Sequence, residues 1–123
     1  MRFVRTVGLF AMLVISAQIS GLAQGTVYSP GGGVSLAHVT KEVRPEYTRE
    51  AMAARIQGTV LVEAVVLADG TVGDVRVVQS LDRRYGLDDE TVKATKQCLF
   101  EPGKKDGKPV AVRITMEHTF RLK

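Results

Sequence analysis

The chain reads as an α+β domain: a small antiparallel three-stranded sheet with two helices packed on one face. Three observations predict it. Val110, Val112, Ile114, Met116, His118, Phe120 and Leu122 alternate with Ala111, Arg113, Thr115, Glu117, Thr119, Arg121 and Lys123. So long a period of two marks a strand with one face on a core and the other in water. Asp69-Gly70 separates two apolar runs and is the strongest hairpin signal present. Two stretches of good helix formers, after Thr48 and after Leu87, are closed by glycine or proline.

Before that domain the pattern is different. Arg2 and Arg5 precede an apolar run from Val7 to Ile15, and Gly21-Leu22-Ala23 supplies small residues. This is the form of a secretory signal peptide over residues 1–23, cleaved after Ala23. A retained membrane anchor is the competing reading; a spanning helix needs about 20 apolar residues, and Gln18, Ser20 and Gly21 interrupt the run. Residues 24–43 read as a linker with an extended segment. Ser29-Pro30-Gly31-Gly32-Gly33 offers little to pack, and Val34 to Val43 alternates weakly enough to suit a short extended piece covering a sheet edge. The domain proper is expected over 44–123.

Its elements follow in order. Pro45 disfavours helix at Arg44. Thr48 is the expected N-cap of a helix over Arg49–Ile56, with Tyr47 stapled to Met52 and Gly58 as the left-handed terminator. Thr59 to Ala68 is apolar on both faces and should be the most buried strand. Val72 to Ser80 returns antiparallel, Leu81 to Gly86 is a loop, and Asp88 is the expected cap of the second helix, with Leu87 stapled to Val92. Leu87, Thr91, Ala94 and Cys98 form its apolar stripe, Pro102 and Gly103 end it, and Lys104 to Lys108 read as a polar loop.

Composition narrows the function. The 123 residues carry a net charge of +4. Losing Arg2 and Arg5 leaves 15 basic against 13 acidic residues, or +2, with the two signs interleaved. That describes an ordinary solvated surface and no nucleic-acid partner. A lone Cys98 cannot form an internal disulfide and reads as a small buried side chain. His38 and His118 have no neighbour at metal spacing, and Asp88-Asp89-Glu90 suits a helix start rather than a metal. Ser80 lies in no nucleophile turn, and Gly31-Gly32-Gly33 opens no helix. The sequence therefore predicts no enzyme, no cofactor and no metal. What remains is the backbone of an open sheet edge, which can accept another strand; an edge shielded by Val34–Val43 or by a second copy of the chain fits the same pattern.

The ordered set Pro45-x-Tyr47, Ala51, Gly58-Thr59-Val60, Asp69-Gly70-x-Val72, Val75, Val77, Ser80, Leu87-Asp88, Ala94, Phe100-x-Pro102, Gly107-Lys108-Pro109-Val110 and Phe120 resembles the TonB C-terminal domain family. The chain differs from the family's pattern at Arg44, Thr48 and Cys98, where family members often carry an amide, a proline and a tryptophan. The resemblance implies a periplasmic domain that binds the N-terminal segment of an outer-membrane receptor as a strand beside its last strand, in a system driven by inner-membrane motor proteins. The implied contact residues are Arg44, Tyr47, Arg113, Thr115, Glu117 and Thr119. A stand-alone scaffolding module, self-associating as a homodimer or binding the cell wall, is the alternative.

Overall fold

The computed structural model describes residues 25–123; the signal-peptide reading of 1–23 and its cleavage after Ala23 lie outside the described residues. The elements run β1 (Val27–Tyr28), β2 (His38–Lys41), α1 (Arg49–Ala53), β3 (Gly58–Val66), β4 (Val72–Gln79), α2 (Leu87–Gln97), β5 (Leu99–Glu101), β6 (Lys104–Lys105), β7 (Lys108–Pro109) and β8 (Ala111–Phe120). The main sheet has the order β1-β8-β3-β4. Its three long strands are antiparallel, as the sequence predicts. The fourth, β1, was not expected: it joins β8 in parallel, and only at Ala111 and Val112.

β3 lies in the middle because both its faces are apolar. Val60, Val62, Ala64 and Val66 are buried toward the helices, and Val65 is buried on the opposite face. β8 pairs with it from Val112 to Phe120. The β3–β4 turn uses left-handed geometry only at Gly70 (φ 89°), with the Leu67 N–H donating to the Thr71 carbonyl at 2.8 Å. Glycine is needed there twice over, since a Cβ would also stand 2.2 Å from the Phe100 carbonyl oxygen.

Both helices differ from the expectation at their ends. Thr48 caps α1 as predicted: its Oγ1 accepts from the Ala51 N–H at 3.2 Å. Arg55, not Gly58, then takes the left-handed position (φ 58°). The Arg55 N–H donates to the Met52 carbonyl and the Ile56 N–H to the Ala51 carbonyl, the paired bonds of a Schellman ending. Met52 is exposed, and Tyr47 packs edge-on against Phe120 instead, with ring centroids 5.3 Å apart.

Asp88 does not cap α2. Gly86 occupies the cap position without a side-chain bond, and Asp82 performs the task from upstream, its Oδ2 accepting from the Leu87 N–H at 3.2 Å. Asp88 is buried and turned back to the loop, where it accepts from Ser80 Oγ (2.5 Å), the Leu81 N–H (3.0 Å) and the Asp82 N–H (3.0 Å). Leu87 is itself fully buried as the first residue of the helix. The stripe of Leu87, Thr91, Ala94 and Cys98 is buried as predicted, with Thr95 added.

The second helix ends at Gln97, short of Pro102 and Gly103. Cys98 is extended, and β5 follows, antiparallel to β2. Lys104 to Lys108, expected as a polar loop, instead form with Pro109 a hairpin of β6 and β7 whose turn residues Asp106 and Gly107 both have positive φ, as a two-residue type I′ turn requires. The core has two parts. Ala51, Val60, Val62, Leu87 and Phe120 form one; Val66, Cys98 and Phe100 form the other, with Val43, Ile114 and Met116 packed against it.

Candidate functional site

Among the described residues, β8 has two sides with different fates. One pairs with β3 from Val112 to Phe120. The other meets β1 at Ala111 and Val112 only, so from Arg113 to Phe120 it has no strand partner among the described residues. In an antiparallel ladder alternate residues turn both N–H and C=O away from the neighbouring strand. About half of these residues therefore present paired donors and acceptors outward, as a strand template.

The edge is the floor of a trough. Its far wall is the chain from Leu36 to Tyr47, which lines cavities against β8 and closes on it where Tyr47 packs against Phe120. Two cavities line up along it. One, of about 430 Å³, is bounded by Arg113, Ile114, Thr115 and Met116 on β8 and by Leu36, Ala37, Val39 and Phe100 opposite. The next, of about 370 Å³, is bounded by Glu117 to Arg121 and by Glu42, Arg44, Pro45 and Tyr47. Together they touch every β8 residue from Arg113 onward.

The six sequence-predicted contact residues all line this trough, in two groups. Arg44, Tyr47, Glu117 and Thr119 meet at one end; Arg113 and Thr115 lie at the other. Their side chains are not equally available. Arg113 leans across the helix-free face of the sheet to Glu63, at 3.5 Å, which also holds Arg76 at 2.9 Å. Thr119 shares a hydrogen bond with Thr59 on β3 at 3.2 Å. Tyr47 is half-buried, and its hydroxyl donates to the Ile56 carbonyl. Arg44, Thr115 and Glu117 are exposed. In the sequence Ile114 and Met116 read only as the core face of the last strand, and Leu36 and Val39 lie in the weakly alternating stretch before the domain, so nothing there signals that the two pairs line one cavity.

The other chemistry-bearing side chains have structural occupations. His118 is buried under the trough with Nε2 3.4 Å from Thr95 Oγ1. Burial pushes its pKa below the ordinary value, with Glu42 opposing. Cys98 is fully buried, its Sγ 3.5 Å from the Val43 nitrogen. Ser80 donates to Asp88, which also binds two backbone N–H groups. Among the described residues no three His, Cys, Asp or Glu side chains gather as a metal site. No described helix is long and apolar enough to cross a membrane.

Comparisons with known proteins agree with this architecture. The family profile of the Gram-negative bacterial TonB protein C-terminal region matches residues 43–122. Protein TonB of Pseudomonas aeruginosa is 32% identical over 103 residues, covering 81% of this chain and 30% of that protein. Protein TonB of Vibrio cholerae is 34% identical over 109 residues, covering 86% of this chain and 43% of that protein. The chain thus spans less than half the length of these relatives. The solution NMR structure of the Pseudomonas aeruginosa TonB CTD superposes with a TM-score of 0.59 at 29% identity, over 77% of this chain and 93% of that one.

Proposed function

This chain belongs to the family of Gram-negative bacterial TonB C-terminal domains, and from that membership we propose that it grips an extended N-terminal segment of an outer-membrane receptor by adding it as a strand to the outer edge of β8. The same reading puts the domain in the periplasm, on the load side of an energy-coupled transport system whose motor proteins sit in the inner membrane. The observation that supports it most is the edge from Arg113 to Phe120, unpaired among the described residues and walled by a trough.

The energetics suit a reversible grip. Each main-chain hydrogen bond is worth about 0.5–1.5 kcal/mol net, so about eight of them contribute roughly 4–12 kcal/mol. Association costs at least about 4 kcal/mol. Backbone pairing alone therefore gives weak binding, and side chains must add the rest.

The test is titration of the ¹⁵N-labelled protein with receptor N-terminal peptides. Shifts and slowed amide exchange are expected on Arg113–Phe120, with smaller shifts at Arg44 and Tyr47. Shifts centred instead on the β4 edge, Val72–Gln79, would refute the assignment. A second copy of the chain is the competing occupant of the same edge; light scattering over a concentration series identifies it as a dimer that ignores the peptides.

A further inference from the structure

We infer that His118 makes the trough proton-sensitive: a strand seated beside it and a proton on its ring exclude one another, so acidification releases the guest. This rests on the strand-addition reading and adds regulation to that site.

The ring sits between β8 and α2. His118 is 7% exposed, and its Nε2 lies 3.4 Å from Thr95 Oγ1. The Thr95 hydroxyl already gives its hydrogen to the Thr91 carbonyl at 2.7 Å. Toward the ring Oγ1 can therefore only accept, and the neutral imidazole carries its hydrogen on Nε2. Nδ1 is then the atom that an added proton reaches. It has no hydrogen-bond partner among the described residues, yet no buried side-chain nitrogen there is left without one. Nδ1 is thus open to water, and the open space that His118 borders is the cavity of about 370 Å³ in the trough.

The charges around the ring come from two elements. β3 faces it with Val60, its partner in the ladder. α2 turns Thr91, Ala94 and Thr95 inward, and its buried carboxylate, Asp88, is taken up by the 80–82 loop. The segment before α1 brings Glu42 and Arg44 to the cavity, and β8 itself brings Glu117 and Arg121. Those four charges cancel, so a proton on His118 is what leaves the cavity positive. Glu42 favours that proton from across the gap, and burial opposes it.

A seated strand shifts this balance against the proton. It pairs along the outer edge of β8, so its inward side chains lie beside that of His118 on the helix-covered face. They displace the water that a charged Nδ1–H needs, and a desolvated imidazolium is disfavoured. The strand also stands between the ring and Glu42 on the opposite wall. Guest and proton therefore compete, and linkage makes the effect mutual: each weakens the other by the same factor. The ordinary imidazole value of 6.5 sets a ceiling; between pH 7.5 and 5.5 the guest loses at most about ten-fold in affinity.

The test is titration of the ¹⁵N-labelled protein with receptor N-terminal peptides, free of histidine and capped at both ends, at pH 7.5 and 5.5. Affinity is read from the β8 amides and protonation from the imidazole ¹⁵N shifts of His118. Affinity is expected to fall about three- to ten-fold at the lower pH, and saturating peptide to move the His118 midpoint downward. His118→Gln keeps an N–H for Thr95 and should bring the ratio of the two affinities close to one. Glu42→Gln changes an exposed residue and puts no fold at risk; it should lower the His118 midpoint of the free protein and shrink the ratio. Equal affinity at both pH values, a midpoint that ignores the peptide, or a ratio that survives in His118→Gln refutes the proton sensitivity while strand addition stands, provided the β8 amides still shift. If no peptide shifts them at either pH, strand addition fails and the inference with it.

Discussion

Replacing Asp88 separates two kinds of loss, because its two oxygens have different partners. Oδ1 accepts from the Leu81 and Asp82 N–H groups, each at 3.0 Å, and Oδ2 from Ser80 Oγ at 2.5 Å. Asp88→Ala orphans both amides. Asp82 is buried and Leu81 half-buried, whereas Ser80 is exposed and rehydrates. An orphaned buried donor costs about 1–3 kcal/mol; counting one fully and one in part gives about 3 kcal/mol. Asp88→Asn keeps an oxygen at Oδ1 and places its amide N–H₂ against a hydroxyl that can accept, so only the charge-assisted share is lost, about 1 kcal/mol. In a domain of this size 1 kcal/mol moves Tm by about 4–8 °C, so the Ala variant should melt roughly 12–24 °C lower and the Asn variant roughly 4–8 °C lower. Acid adds an independent check. Burial pushes the Asp88 carboxyl up, but the Ser80 hydroxyl, the Asp82 and Leu81 N–H groups and the Arg83 charge together hold it below the ordinary value of 3.8. The folded state therefore binds this proton less readily than the unfolded one. The stabilisation is complete above the unfolded value and is lost as pH falls through the lower folded one. Urea unfolding of the three proteins at pH 7 and across pH 2–5 reads both effects. Equal losses for Ala and Asn, or an Asn variant as acid-sensitive as the parent below pH 4, would refute this account.

Two further outcomes are expected. Arg55→Gly should stabilise the domain by about 0.5–1 kcal/mol in urea unfolding, because it relieves a non-glycine residue at φ 58° after α1; a loss of stability would show that the Arg55 side chain matters more than its backbone. His118, with its pKa lowered chiefly by burial against an opposing pull from Glu42, should make stability fall as pH drops through about 6.5, where the unfolded state takes up the proton first; an unfolding series from pH 7.5 to 5 should show a shallower slope in His118→Gln, and an unchanged slope would count against it.

How much of this was legible depended on the length of the pattern. β8 announces itself through ten alternating residues, and β3 through an apolar run closed by Asp69-Gly70. β1, β2 and β5 are two to four residues long, too short for any period to register, and Phe100-Glu101-Pro102 reads equally well as the end of a helix. The second cap failed for another reason. Asp82 and Asp88 are both carboxylates near the helix start, and sequence does not say which one turns forward to the Leu87 N–H and which turns back to the loop. The floor of the trough could be read because it belongs to one strand. Its apolar wall could not, because Leu36 and Val39 become a wall only when β2 is laid on β5.

That placement also explains why the edge of β8 is left open. The segment before α1 has backbone groups of its own to satisfy and could have satisfied them on β8. It is committed elsewhere. His38, Val39 and Lys41 pair with β5. The Ser35 N–H donates to the Lys104 carbonyl at 2.9 Å, and Ser35 Oγ accepts from the Lys104 N–H at 2.9 Å. Val43 is drawn to Cys98, whose sulfur lies 3.5 Å from its nitrogen; the small thiol lets the main chain come that close. Among the described residues of this segment, only β1 pairs with β8, steadied by Lys105 Nζ at 4.8 Å from the Tyr28 ring centroid. It is led away after two residues by Ser29-Pro30 and the Gly31–Val34 turn, since proline brings no N–H to continue a ladder. A backbone N–H has one hydrogen to give, so each bond made to β5, β6 and Cys98 is one that the segment does not make to β8. The vacancy beside Arg113–Phe120 is thus maintained by the same contacts that hold its opposite wall.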